Sequence, residues 1–240
     1  PAIRAWLSGR STVSAVLAAD SSSASANSRL TVLSIEWASP DALTLRPAEG
    51  PSFLTRPAYL AAVGVPVDSL AALVAAAGPG GAGLDEETTE AVLRSGAAYI
   101  AEKAAMGYLS RAEQSRFGLS RKLGQKKHSA EAIRLALDYL ESKSYLDDSR
   151  YAEAWLRERL IHHAEGREAL LAGLLSRGIG RDVAREAVSA CFAEVDEAAL
   201  CRRAIDRLVR QGKTGIKLQV ALARKGFSRG IIAACLGNVE

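Results

Sequence analysis

Histidine, cysteine and aromatic residues are all scarce in this chain. Its three histidines make no ligand set, since His162 and His163 are adjacent and His128 is far off in sequence. Cys191, Cys201 and Cys235 lack metal-ligand spacing and are odd in number, so reduced thiols in a cytoplasmic protein are expected. Aromatic residues make up 5% of the chain, which argues against a groove that stacks single-stranded bases. No apolar run is long enough to cross a membrane. The first residues lack a basic segment followed by a long apolar run, so no signal peptide is expected. Walker A and HExxH patterns are absent, and no histidine stands in an acid–nucleophile arrangement. No enzyme activity, metal or cofactor is therefore expected.

What is present is helix, and much of it is basic. Of 240 residues, 48% are hydrophobic, enough for a real core. From Tyr99 to Glu240 there are 25 Lys and Arg against 18 Asp and Glu, whereas Pro1–Ala98 carries 6 against 9. The positive half is also the helical half. That pairing points to a negatively charged partner, either nucleic acid or an acidic groove on a protein, with a solvated helical surface as the plainer alternative.

The stretch from Ser144 to Gly180 sets the pattern. Asp147 and Asp148 precede an apolar stripe of Tyr151, Trp155 and Leu156, and either acid suits a helix N-terminus. That stripe reads as core packing rather than base stacking, and the two acids as caps rather than a catalytic pair. Gly166 interrupts the pattern. Leu170, Leu171, Leu174 and Leu175 form a second stripe, and Arg177-Gly178-Ile179-Gly180 reads as a helix stop.

The stop recurs. Leu119 and Leu123 superpose on Leu170 and Leu174 after a shift of 51 residues, and on Leu218 and Leu222 after a further 48. Lys126, Arg177 and Lys225 then share the basic helix end. Lys127, Gly178 and Gly226 share the stop. His128, Ile179 and Phe227 share the fold-back position, and Ser129, Gly180 and Ser228 the next N-cap. Each unit reads as three short helices, too short to stand alone in water, that stack to cover each other's apolar faces.

Elsewhere the signals are local. Thr12–Leu17, Leu30–Trp37 and Ala42–Leu45 lean to β, suggesting a small antiparallel sheet or meander. Pro57 and Pro66 each suit a first helical turn. Gly78–Gly83 reads as a flexible joint, and Leu84–Arg94 as a short helix after it. Ser110-Arg111-Ala112-Glu113 has the form of a capping box opening the next helix. The expected class is mainly α, with tandem three-helix repeats in an elongated array and a small β-containing N-terminal domain. Residues 1–83 would be the extension and linker. Residues 84–240 would hold the repeats, at about 99–147, 148–195 and 196–240.

The segment Tyr145-Leu146-Asp147-Asp148-Ser149-Arg150-Tyr151-Ala152-Glu153-Ala154-Trp155 resembles the signature of the RecX family of bacterial recombination regulators. Gly166-Arg167, the leucine-rich helix and Arg177-Gly178-Ile179 resemble it too. The likeness covers about Tyr99–Glu240, and the segment before it is similar to the extension of longer members. The resemblance implies a non-catalytic, cytoplasmic monomer that binds RecA in the groove of the RecA–DNA filament. It implies inhibition of RecA ATPase, strand exchange and coprotease activity, and so restraint of recombinational DNA repair and the SOS response. Direct DNA binding is implied for some members. Lys127-His128 stands where a Gly-aromatic pair is usual, so the first stop is expected to be looser. Gly166-Arg167 lacks the proline that often follows the glycine.

The candidate binding residues are basic and lie near the middle helices. Arg121, Lys122, Lys126 and Lys127 form one cluster. Arg157, Arg159, Arg167, Arg177 and Arg181 form a second. Arg202, Arg203, Lys217, Arg224, Lys225 and Arg229 form a third. Arginine suits bidentate pairing with carboxylate or phosphate, and a periodic array suits a periodic filament. A stand-alone helical DNA-binding module is the alternative, although no helix-turn-helix or zinc signature supports it.

Overall fold

Two of the β-leaning segments become neighbouring strands. The structure, a computed structural model, describes residues 29–237, and the expected strand at Thr12–Leu17 lies outside them. The chain divides into two compact units: Pro1–Arg111 with Leu119–Tyr145, and Ala112–Gly118 with Leu146–Glu240.

The first unit holds an antiparallel sheet of β1 (Thr31–Ser39), β2 (Ala42–Pro47), β3 (Phe53–Thr55) and β4 (Ala82–Gly83) in the order β3-β2-β1-β4. Leu30, Val32, Leu43, Leu45 and Phe53 are buried together with Leu60, Leu70, Leu84 and Val92. Pro57 opens α1 (Pro57–Ala62), and Pro66 immediately precedes α2 (Val67–Ala77). The predicted joint at Gly78–Gly83 is built into the sheet. Gly78–Gly80 form a 3-10 turn, and Ala82 and Gly83 pair with Val32 and Thr31. These six residues also spell G-x-G-x-x-G. They run from a helix into an antiparallel edge strand, the reverse of the strand-to-helix turn that cradles a dinucleotide.

The predicted short helix after this turn is much longer, a single α3 from Glu86 to Leu109. The Asp85 carboxylate accepts the Thr88 amide at 2.7 Å, and Glu86 and Glu87 sit in its first turn. No proline interrupts it. Ala97 and Ala101 meet Ala132 and Ala136 of α5 (Ala130–Ser142), and small side chains let the two helices approach closely. Ile133, Leu137 and Leu140 are buried.

The capping box is a correction. Ser110 ends α3 instead of opening a helix, and its hydroxyl donates to the Gly107 carbonyl. The next helix, α4 (Arg116–Gln125), starts six residues later. There the Ser115 hydroxyl accepts the Gly118 amide at 3.1 Å. A serine three residues before a glutamate gave the wrong start because Glu113 is taken by Arg150, at 2.5 Å.

A buried polar network also lies in the first unit. Arg56 forks onto Glu102 with two bonds of 2.6 Å and pairs with Asp41. The Tyr59 hydroxyl donates to Glu102 at 2.8 Å, and the Tyr139 hydroxyl donates to Asp41. The Arg56 guanidinium lies 4.3 Å from the Tyr139 ring centroid. The side chain of Glu102 is only 4% exposed, and such a charge persists when it is paired and fully hydrogen-bonded.

The second unit is helical: α6 (Asp148–His162), α7 (Arg167–Leu175), α8 (Arg181–Glu194), α9 (Glu197–Arg210), α10 (Gly215–Arg224) and α11 (Arg229–Gly237). One core serves all six, with Leu156, Leu170, Leu174, Ile179, Leu200, Leu208, Leu218, Leu222 and Phe227 buried in it. Asp147 caps α6 by accepting the Ser149 and Arg150 amides. Asp148 caps a different helix: it accepts the Arg116 amide at the start of α4, at 2.8 Å.

Candidate functional site

The basic clusters lie on and around three equivalent helices, α4, α7 and α10, with Arg157 and Arg159 in α6, Arg181 in α8, Arg202 and Arg203 in α9 and Arg229 in α11. In α4, α7 and α10 the last turn closes in the same way. Lys127, Gly178 and Gly226 adopt left-handed φ of 64°, 78° and 81°. Their amides donate to Gly124, Leu175 and Ala223 at 2.9, 3.0 and 2.9 Å. The next amides, on His128, Ile179 and Phe227, reach back to Leu123, Leu174 and Leu222 at 3.2, 3.2 and 3.3 Å. This paired closure satisfies carbonyls that a helix end leaves free. The first stop was expected to be looser, but its hydrogen bonds match the other two. Lysine replaces glycine there without loosening the turn. Ile179 and Phe227 are buried at the fold-back position, whereas His128 is half-buried. Burial and the nearby Lys126 charge hold its imidazole below the usual histidine value.

The starts of these helices are equivalent as well. The Arg116 amide meets the Asp148 carboxylate, and the Arg167 amide meets the Glu197 carboxylate at 3.5 Å. The Ser115 hydroxyl donates to the Arg177 carbonyl at 3.0 Å, and the Gly166 amide donates to the Lys225 carbonyl at 2.9 Å. A later helix stop is thus hydrogen-bonded to an earlier helix start, twice.

The fifteen basic candidates divide by what they touch. In the first cluster Arg121, Lys126 and Lys127 are exposed and Lys122 is half-buried. The Lys122 and Lys126 ammonium groups each stand 5.0 Å from the Tyr108 ring centroid, an arrangement the sequence reading missed. In the second cluster, Arg159 forks onto Glu165 at 2.8 and 2.9 Å. Arg167 pairs with Glu197 at 2.9 Å and lies 4.4 Å from the Phe192 ring. Arg177 lies 4.5 Å from the Trp155 ring and donates to the Gly173 carbonyl at 2.8 Å. These three brace the fold. Arg157 and Arg181 are exposed. In the third cluster, Arg203 donates to the Leu160 and His163 carbonyls at the end of α6. Arg202 pairs with the exposed Asp196 at 3.3 Å. Lys217, Arg224 and Arg229 are exposed and Lys225 is half-buried.

Among the described residues, no group of three His, Cys, Asp or Glu could hold a metal ion. Cys201 and Cys235 are buried, and burial followed by the neighbouring Cys235 pushes the Cys201 thiol up to about 12, the opposite of a nucleophile. Among the described residues, no helix is long and apolar enough to cross a membrane.

Fold and surface together define a mainly helical protein with recurring helices, a small sheet and cationic helix ends. Residues 147–188 match the model of the second three-helix domain of RecX. The chain is 36% identical over 138 residues to a regulatory protein RecX of Treponema pallidum, covering 58% of this chain and 84% of that one. It is 33% identical to one from Thermobifida fusca, over 51% of this chain and 69% of the other. A crystal structure of a regulatory protein RecX superposes with a TM-score of 0.62 at 20% identity, over 87% of this chain and 99% of that chain. The RecX structure from Lactobacillus salivarius gives 0.52 at 21%, over 60% and 96%. These two likenesses are of fold. The chain belongs to the RecX family.

Proposed function

We propose that this chain is a non-enzymatic regulator that binds RecA and the RecA–DNA filament as a monomer in the cytoplasm. Binding lowers RecA ATP hydrolysis, strand exchange and coprotease activity, and so restrains recombinational repair and the SOS response. Family membership carries this reading. The charge on the equivalent helix ends supports it: a cationic group that recurs every 50 residues or so matches a partner that is itself periodic, and several weak contacts add as avidity. We assign the recurring helices to three units, about 99–147, 148–195 and 196–240, after a β-containing segment at 1–83.

The test is ATP hydrolysis by RecA on single-stranded DNA with increasing amounts of this protein. Hydrolysis should fall as protein is added, and unchanged hydrolysis at saturation removes the reading. The basic excess after Tyr99 also favours a second reading, direct DNA binding. Tight binding to naked DNA with a steep salt slope would promote it.

A further inference from the structure

The three equivalent helices differ in what they turn outward. Aligned through Leu119, Leu170 and Leu218, the places of Ile216 and Val220 in α10 are held by Phe117 and Arg121 in α4 and by Glu168 and Ala172 in α7. Of the three, only α10 sets two branched aliphatic side chains there. Ile216 is 78% exposed and Val220 44%. They lie one turn apart, and the buried side chains of α10, Leu218 and Leu222, are on its other side. Among the described residues, nothing comes within 4 Å of a β-carbon built on Gly215, next to Ile216. Val209, near the end of the α9 helix that packs against α10, is exposed as well.

The charge around this stripe has one sign. Lys217 and Arg224 are exposed, and their places one and eight residues after Ile216 put them on the same outward side of the helix. From Arg207 to Gly237 the chain carries seven Lys and Arg and no Asp or Glu. An apolar centre within a charged rim is the anatomy of a protein interface. Burying Ile216 and Val220 is favourable only against an apolar surface. A sugar–phosphate backbone offers charge without such a surface, and α10 has no aromatic side chain on which a base could stack.

We propose that the outer face of α10 seats an acidic protein segment. Apolar side chains of that segment pack on Ile216 and Val220, and its carboxylates pair with Lys217 and Arg224. The proposal rests on the RecA reading above, with RecA supplying the segment, and it assigns α10 to the protein of the filament rather than to its DNA.

The test is ATP hydrolysis by RecA on single-stranded DNA, titrated with the full chain as wild type, as Ile216→Ala with Val220→Ala, and as Lys217→Gln with Arg224→Gln. Alanine favours helix more than isoleucine or valine does, so I216A/V220A should match wild type in circular dichroism. It should need about tenfold more protein for half-inhibition, and by the same factor at low and high salt, because an apolar contact is not screened. K217Q/R224Q should also weaken inhibition, with a loss that shrinks as salt rises. Binding of I216A/V220A to naked single-stranded DNA should be unchanged. Failure of wild type to inhibit sinks the RecA reading itself. Inhibition by I216A/V220A equal to that of wild type overturns the docking face and leaves the RecA reading intact. An equal loss of affinity for naked DNA gives the face to nucleic acid, and wild-type self-association in sedimentation that I216A/V220A abolishes gives it to a second copy; either result overturns the proposal.

Discussion

Gly178 lies so close to Phe117 that a β-carbon on the glycine would fall 2.3 Å from the phenylalanine Cβ. Gly212, which ends α9, has the same φ of 78° but nothing within 4 Å. The pair separates backbone strain from close packing. Gly212→Ala should cost about 1 kcal/mol, the left-handed penalty alone. Gly178→Ala and Gly226→Ala should add an overpacking cost of about 1–3 kcal/mol. Urea unfolding of the three variants checks this, and equal losses in all three would show that the close approach relaxes freely.

The Arg56–Glu102 pair yields a second prediction. Removing one partner of a buried pair leaves an uncompensated charge, and such losses run to about 3–5 kcal/mol. Asp41 remains beside Arg56 in a Glu102→Ala variant, so the loss should fall near the low end, about 3 kcal/mol. Hydrogen exchange at the β1 and β2 amides should quicken in step. Replacing Asp41, whose side chain is 45% exposed, should cost far less. A Glu102→Ala variant as stable as wild type would show that the pair adds nothing to the stability of the fold.

Sequence alone reached the recurring helices because their signals are local. Leucines at spacing four, an acid before a stripe and a glycine after a basic residue are each readable within a few positions. It missed whatever depends on distant chain. Nothing in Ser110-Arg111-Ala112-Glu113 shows that Glu113 is held by Arg150. Nothing near Asp148 shows that its oxygen belongs to the Arg116 amide of another helix. The β3 strand is three residues long and β4 two, too short for any alternation to register. Lys127 read as a weakened stop, yet the amides of Lys127 and His128 close it like the others. Among the basic candidates, composition could not tell Arg121, which is exposed, from Arg177, which lies over Trp155.

His128 gives a prediction about acid. Its folded pKa is lowered from 6.5 by burial and by Lys126, so the unfolded chain binds the proton more readily. The stability it contributes is complete above 6.5 and is lost as pH falls through its folded value. Wild type should therefore weaken on acidification below about pH 6.5. His128→Phe, which copies the residue at the third fold-back position, should flatten that part of the pH profile. Thermal unfolding between neutral and mildly acidic pH measures this, and an identical slope in the variant would locate the sensitivity elsewhere.

The α4 cluster bears most directly on function. Arg121, Lys126 and Lys127 are exposed, and Lys122 joins Lys126 over Tyr108. Reversing all four to glutamate turns a patch of four positive charges negative and loses both cation–π contacts. Each exposed contact of that kind is worth about 0.5–1 kcal/mol, so circular dichroism should still report a folded helical protein. Inhibition of RecA ATPase should weaken by about tenfold or more in effective concentration, because like charges facing each other across an interface are penalised by several kcal/mol. The loss should shrink at high salt, where exposed charges are screened. Intact inhibition by a folded variant would make this cluster ordinary solvated surface and move the search to Arg157, Arg181 and the cations of α10.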